Sequence, residues 1–161
     1  MSRIPITLEG YNKLKAELDR LKNVDSREVI EAIQEARGHG DLSENAEYDA
    51  AKERQGFIEA RINELESKMG LFDVIDISKM SGDKITFGAT VTLENIDTEE
   101  RKRYSIVGPD EADILNGRVS ILSPLARAIV GKKVGDDAIV QAPGGEIEYE
   151  IISVEFLAYN D

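Results

Sequence analysis

Asp41 and Glu44 are the residues of this 161-residue chain whose type and spacing could do chemistry. Two carboxylates three positions apart at the start of a helix can share one hard divalent cation. Mg²⁺ takes six oxygens and often keeps only one or two protein carboxylates, with water and phosphate supplying the rest. A pair this open would hold the ion poorly by itself. It makes sense where another macromolecule completes the ligand set. Asp41-Leu42-Ser43-Glu44 also has the form of a capping box, and acids in a first helical turn gain about 0.3–1 kcal/mol each from the dipole. Spacing alone leaves both readings open. Glu47 and Asp49 add negative charge beside the pair, and Arg37 and Lys52 stand close by in sequence.

Few other groups compete for a chemical role. His39 is the single histidine and there is no cysteine, so a histidine-built zinc triad and a thiol nucleophile are both excluded. No serine sits in a nucleophile elbow. Gly38-His39-Gly40 and Gly144-Gly145 are turn glycines, outside any phosphate-loop pattern.

Two long amphipathic segments must position the acids. Tyr11, Leu14, Leu18 and Leu21 precede them at spacings of 3, 4 and 3, and Ile62, Leu65, Met69 and Phe72 follow at the same spacings. Matched from the outside in, the pairs share one midpoint, between Asp41 and Leu42. This mirrored pattern predicts an antiparallel coiled-coil hairpin within one chain, its acids at the tip of a rod. Thr7 is the expected N-cap, after an extended Ile4-Pro5-Ile6. The first helix should run to about Arg37, roughly 45 Å for about 30 residues. Its apolar phase resumes at Val29, Ile33 and Ala36 one residue late, which predicts a distortion across Lys22 to Glu28. Gly38 is expected in the left-handed position that ends it. The second helix is expected from Asp41–Ser43 to about Val74, with Ala46, Ala50 and Ala51 allowing close approach near the tip.

Composition changes after Asp76, giving a hairpin over 1–76 with its tip at 38–48, a linker over 77–83 and a second domain over 84–161. There, segments at 85–87, 89–93, 103–107, 118–122, 138–142 and 147–156 read as strands. Ser123 caps a short helix with Pro124 at its first position and Gly131 at its stop. Asp97 to Arg103 reads as a solvated hairpin loop, and Pro143-Gly144-Gly145 as a turn of type II. The whole is α+β, with a mostly antiparallel sheet and a short helix in the second domain.

With 41% hydrophobic and 32% charged residues and a net charge of -12, the chain is unsuited to coating nucleic acid through phosphates. The N-terminus lacks the apolar core of a signal peptide and no stretch is long enough to span a membrane, so a cytoplasmic location is expected.

Gly40-Asp41-Leu42-Ser43-Glu44-Asn45-Ala46-Glu47-Tyr48 resembles the tip signature of the bacterial Gre transcript-cleavage factors, a family of transcription elongation factors. Val29-Ile30-Glu31-Ala32-Ile33-Gln34-Glu35-Ala36-Arg37, Val107-Gly108-Pro109-Asp110-Glu111-Ala112-Asp113, Ser123-Pro124-Leu125-Ala126-Arg127-Ala128-Ile129-Val130-Gly131 and Pro143-Gly144-Gly145 agree in order and spacing. The A-type branch is the nearer match, over essentially the whole chain. Leu122 stands where the family often has a polar or acidic residue, and Ser26-Arg27-Glu28 where it often has Arg-Pro-Glu.

The resemblance implies a hairpin that enters the secondary channel of bacterial RNA polymerase and an FKBP-like second domain docking at its rim. Such a factor is not itself an enzyme; it stimulates the polymerase's own cleavage of backtracked RNA 3′ ends. Asp41 and Glu44 match the family's catalytic acids and are implied to share a Mg²⁺ with the polymerase active site, none being held stably by the isolated chain. Arg37 and Lys52 match positions that approach the extruded RNA, and Ser123 and Pro124 the rim-facing loop. A monomer is expected, with no membrane partner. The rivals are a channel-blocking antagonist without cleavage, against which intact Asp41 and Glu44 count, a prolyl isomerase with a helical appendage, and a structural coiled-coil adaptor.

Overall fold

The computed structural model describes residues 3–40 and 45–158. They fall into two compact units, residues 12–71 and residues 1–11 with 72–161. No helix among the described residues is long and apolar enough to cross a membrane.

The helical unit is a hairpin. Helix α1 (Leu8–Arg20) passes through a π-helical turn (Leu21–Asp25) into α2 (Ser26–Arg37), and α3 (Ala46–Met69) runs back along it. The π turn is the expected distortion. An i→i+5 turn absorbs one extra residue, which is the one-residue delay seen in the apolar phase, and it buries none of its own side chains. Beyond it Val29 and Ile33 return to the seam and pack with Ala51 and Ile58, flanked by Leu21, Tyr48 and Ile62. Ala51 is buried there, whereas Ala46 and Ala50 are exposed, so one of the three expected small residues lines the seam.

A bidentate ion pair joins the two arms. Arg61 donates from Nε to Glu17 Oε2 at 2.7 Å and from Nη2 to Glu17 Oε1 at 2.9 Å. This hydrogen bond holds the Glu17 carboxyl below its usual range, against the opposing effect of partial burial. Because the folded value is depressed, the stabilisation is full above the unfolded value of about 4.3 and disappears as pH falls through the folded one. The side chains are 36% and 40% exposed, so screening limits the pair to about 1 kcal/mol. Arg61→Met should therefore unfold at lower urea than the parent at pH 7, and the gap should narrow as pH falls below about 4.3. A gap unchanged by acid would show that the pair contributes nothing.

The second unit holds two sheets. In the smaller, β1 (Ile4–Thr7) and β2 (Phe72–Ile75) pair in parallel, Ile4 opposite Phe72 and Thr7 opposite Ile75. Helix α3 accordingly stops at Met69, not near Val74 as the sequence suggests. Tyr11 meets Phe72 edge to face, with ring centroids 6.3 Å apart. Thr7 caps α1 as expected, its Oγ1 accepting from Gly10 N at 3.0 Å. It is also clamped by Glu111, whose Oε1 accepts from Thr7 N at 2.8 Å and whose Oε2 accepts from Thr7 Oγ1 at 2.6 Å.

The larger sheet contains β3 (Thr90–Asn95), β4 (Arg101–Val107), β5 (Arg118–Ser120), β6 (Asp137–Ala142) and β7 (Gly145–Glu155), ordered β5-β4-β3-β7-β6. It is antiparallel except that β5 runs parallel to β4, reached through two 3₁₀ turns (Pro109–Glu111 and Ile114–Asn116) that carry the chain back to the same end. Helix α4 (Pro124–Ile129) contributes Ala126 and Ile129 to the core formed with Val91, Leu93, Ile106 and Ile151. Residues 85–87 are not a strand; buried Ile85 donates its amide to Lys132 O, and neighbouring Lys84 makes only an isolated bridge to Lys133. Within 77–83, Ile77–Lys79 forms a 3₁₀ turn with Ile77 buried, capped by Asp76, whose carboxyl is held below its usual range by the Ser78 hydroxyl.

Candidate functional site

The hairpin tip is built by the ends of α2 and α3. Asp41, Leu42, Ser43 and Glu44 lie outside the described residues, so the geometry available is that of their two flanks. On the near flank, Gly38 keeps a right-handed conformation (φ -66°), and the left-handed residue is Gly40 (φ +99°), beyond His39 from the expected position. The amides of Gly38, His39 and Gly40 are spent on carbonyls of the last turn of α2, from Gln34 to Arg37.

On the far flank α3 begins at Ala46, capped by Asn45 and not by a residue of the Asp41–Ser43 stretch. Asn45 Oδ1 accepts from Tyr48 N at 3.1 Å, while its Nδ2 donates to Ala36 O at 2.6 Å. One side chain thus satisfies an orphan amide of the second helix and bonds a terminal carbonyl of the first. His39 Nδ1 lies 3.1 Å from Glu47 Oε2, a second link across the same turn. The two helix ends that flank residues 41–44 are therefore tied to each other by side chains.

Sequence reasoning assigned no role to Asn45. The signal was an Asn three residues before Tyr48, at the head of an apolar-periodic segment, competing with Asp41 and Ser43 as alternative caps. Asn45→Ala should cost about 1 kcal/mol and speed hydrogen exchange of the Tyr48 amide. Asn45→Asp keeps the cap acceptor but loses the donor to Ala36, so it should fall between. Parent-like exchange in Asn45→Ala would remove Asn45 from this role.

Arg37 ends α2 and is exposed; Lys52, exposed in α3, donates to Gln55 Oε1 at 3.2 Å. Ser123 and Pro124 belong to the other unit. Ser123 Oγ accepts from Ala126 N at 3.2 Å and Pro124 opens α4, the capping arrangement read from sequence. Pro124 and the adjacent Leu122 are exposed. Among the described residues no three His, Asp or Glu side chains gather as a metal cluster. Asp41 and Glu44, outside the described residues, are hard oxygen donors of the chemical kind that Mg²⁺ takes.

A capped helical hairpin with an acidic tip stretch, carried with a small mixed-sheet unit, defines the class of molecule. Residues 4–74 match the family described as "Transcription elongation factor, N-terminal", and residues 80–156 the one described as "Transcription elongation factor, GreA/GreB, C-term". The chain is 57% identical over 156 residues to Transcription elongation factor GreA of Nitratidesulfovibrio vulgaris (strain DSM 19637 / Miyazaki F), covering 97% of each protein. It is 59% identical over 157 residues to Transcription elongation factor GreA of Phenylobacterium zucineum, covering 98% of this chain and 100% of that one. Among solved structures, the GreA factor homolog 1 protein of Thermus thermophilus is 29% identical, covering 95% of this chain and 99% of that one, with a TM-score of 0.43. The chain belongs to the GreA/GreB family of transcription elongation factors.

Proposed function

We propose that the protein is an accessory factor that restarts backtracked bacterial RNA polymerase by stimulating the polymerase's own cleavage of the extruded RNA 3′ end. The hairpin enters the secondary channel, and the C-terminal unit docks at the rim through the Ser123-Pro124 loop. The observation that carries this reading is the acidic stretch of a GreA/GreB family member, suspended between two helix ends that Asn45 and His39–Glu47 tie together.

In this reading Asp41 and Glu44 would hold one face of a Mg²⁺ whose other ligands come from polymerase, RNA and water. When bound, the ion supplies an activated water and charge stabilisation for phosphodiester hydrolysis. Asp41 and Glu44 contribute fixed negative charge and two oxygens. Asn45 ties the end of the first helix to the start of the second, so the flanks of that segment are joined before polymerase is met. Arg37 and Lys52 offer cations beside the acids to the extruded RNA phosphates. The chain has no reacting centre of its own and acts only with the polymerase.

The test is to add the protein, with Mg²⁺, to a backtracked bacterial elongation complex and follow RNA length. RNA shortened from its 3′ end is the expected result. Unchanged RNA with inhibited synthesis would overturn it in favour of a channel-blocking antagonist. RNA cleavage by the protein without polymerase would overturn the accessory role.

A further inference from the structure

The two outer edges of the five-stranded sheet are treated differently. At one edge β5 has three residues, and its first is engaged by Asp113, whose N–H and C=O both bond Arg118. At the other, β6 offers six residues with no proline or lysine, the residues that commonly blunt an exposed edge. Strand β6 closes on β7 through the pair Ala142 and Gly145, and Ile151 N donates to Asp136 O. The alternation of an antiparallel ladder then commits Ala138, Val140 and Ala142 to β7. It leaves the N–H and C=O groups of Asp137, Ile139 and Gln141 pointing away from the sheet. The side chains of these three residues are exposed, Ile139 by 54%.

We propose that this edge pairs with a second copy of itself, β6 against β6 and antiparallel, about a two-fold axis at Ile139. That register sets Ile139 against its own copy and Asp137 opposite Gln141 at both symmetry-related positions. The carboxylate there meets an amide donor, and no like charges face each other. A symmetric contact needs a surface that complements itself, and this one does. The two five-stranded sheets become one of ten strands. Six residues a side make a contact well below the area of a standard interface, so the dimer is a weak, reversible one, to be looked for at about 0.1–1 mM protein. The pairing is independent of the polymerase reading.

Sedimentation equilibrium of the full chain over that concentration range tests it. The parent should dimerise, and Ile139→Lys, which places like charges on the axis at an exposed position, should remain monomeric. Gln141→Lys should tighten the dimer and Gln141→Asp should weaken it, each about twofold to thirtyfold from two symmetric cross-strand pairs. Gln141 already donates to Glu146 Oε1 at 2.9 Å, so the lysine would be shared with that carboxylate. Hydrogen exchange should slow on association at Asp137, Ile139 and Gln141, and not at Ala138 or Val140. No dimer at about 1 mM, a dimer indifferent to the charge at position 141, or protection elsewhere in the chain would each overturn the proposal.

Discussion

Asp41→Asn should lose about 100-fold or more of the transcript shortening that the parent stimulates, while polymerase binding stays within about twofold. The substitution keeps shape and one oxygen acceptor but removes the formal charge that a hard cation requires. Residues that merely orient a metal's ligands cost about 10–100-fold when changed, so loss of a ligand itself belongs at the top of that range or beyond. Binding should survive because the loop proposed to dock, Ser123-Pro124, lies in the other unit. Glu47→Gln separates ligation from local charge. Glu47 is exposed, sits in the first turn of α3 and faces His39 Nδ1, and its loss should change cleavage by less than about threefold. Equal losses in both variants would mean that the tip works by total negative charge. Parent-like cleavage by Asp41→Asn would remove Asp41 from the metal role.

Gly108→Ala should lower stability by about 3 kcal/mol or more. The backbone angle at Gly108 is ordinary (φ -73°), so strain at that residue is not the reason. Space is the reason. A Cβ there would stand 2.0 Å from Pro5 O and 3.0 Å from the Pro5 carbonyl carbon, both backbone atoms with no rotamer to yield. Relief requires β1 to move off residue 108. That motion breaks the node where Glu111 Oε1 accepts from Gly108 N at 2.9 Å while the same carboxylate holds Thr7. The melting transition should drop by about 10 °C. Gly56→Ala supplies the opposite sign from the same chemical change. Gly56 lies inside α3, where an added Cβ meets nothing within 4 Å, so alanine should stabilise by up to about 1 kcal/mol. A harmless Gly108→Ala would show that β1 is not seated through this contact.

Periodicity carried much of this fold into the sequence. The mirrored spacings around the tip gave the hairpin, and the one-residue delay before Val29 marked the π turn, because a phase shift is what such a turn does to a helical pattern. Thr7 and Ser123 were legible as caps because each stands just before an apolar-periodic run, with Pro124 following Ser123. Phe72 to Ile75 were not legible as a strand. Phe72 fits the helical phase, and only pairing with Ile4–Thr7, remote in sequence, selects the extended form. At the tip, Asp41, Ser43 and Asn45 are all good caps, and local preference cannot choose among them. The choice of Asn45 depends on Ala36 O, a partner from the other helix. Likewise the glycines announced turns without saying which one takes the left-handed angle. Gly40 does so in place of Gly38. At the β6–β7 turn Gly145 (φ +124°) does so in place of Gly144, so the type II expectation fails there. The acidic pair was read from residue type and spacing alone, and Asp41 and Glu44 lie outside the described residues.

The clamp of Thr7 by Glu111 has a consequence for the order in which the chain can finish folding. These partners are 104 residues apart, and β1 waits equally for Phe72–Ile75. The hairpin's contacts close within residues 12–71, so during synthesis it can form while the sheet-bearing unit is still incomplete. Strand β1 leaves the ribosome before its partners and is thus among the last elements to find its place. Until Phe72–Ile75 emerge, Ile4 to Thr7 remain an unpaired apolar segment, and until Glu111 emerges Thr7 lacks its clamp, so a nascent chain stalled before Phe72 should stay open to proteolysis across Ile4–Thr7.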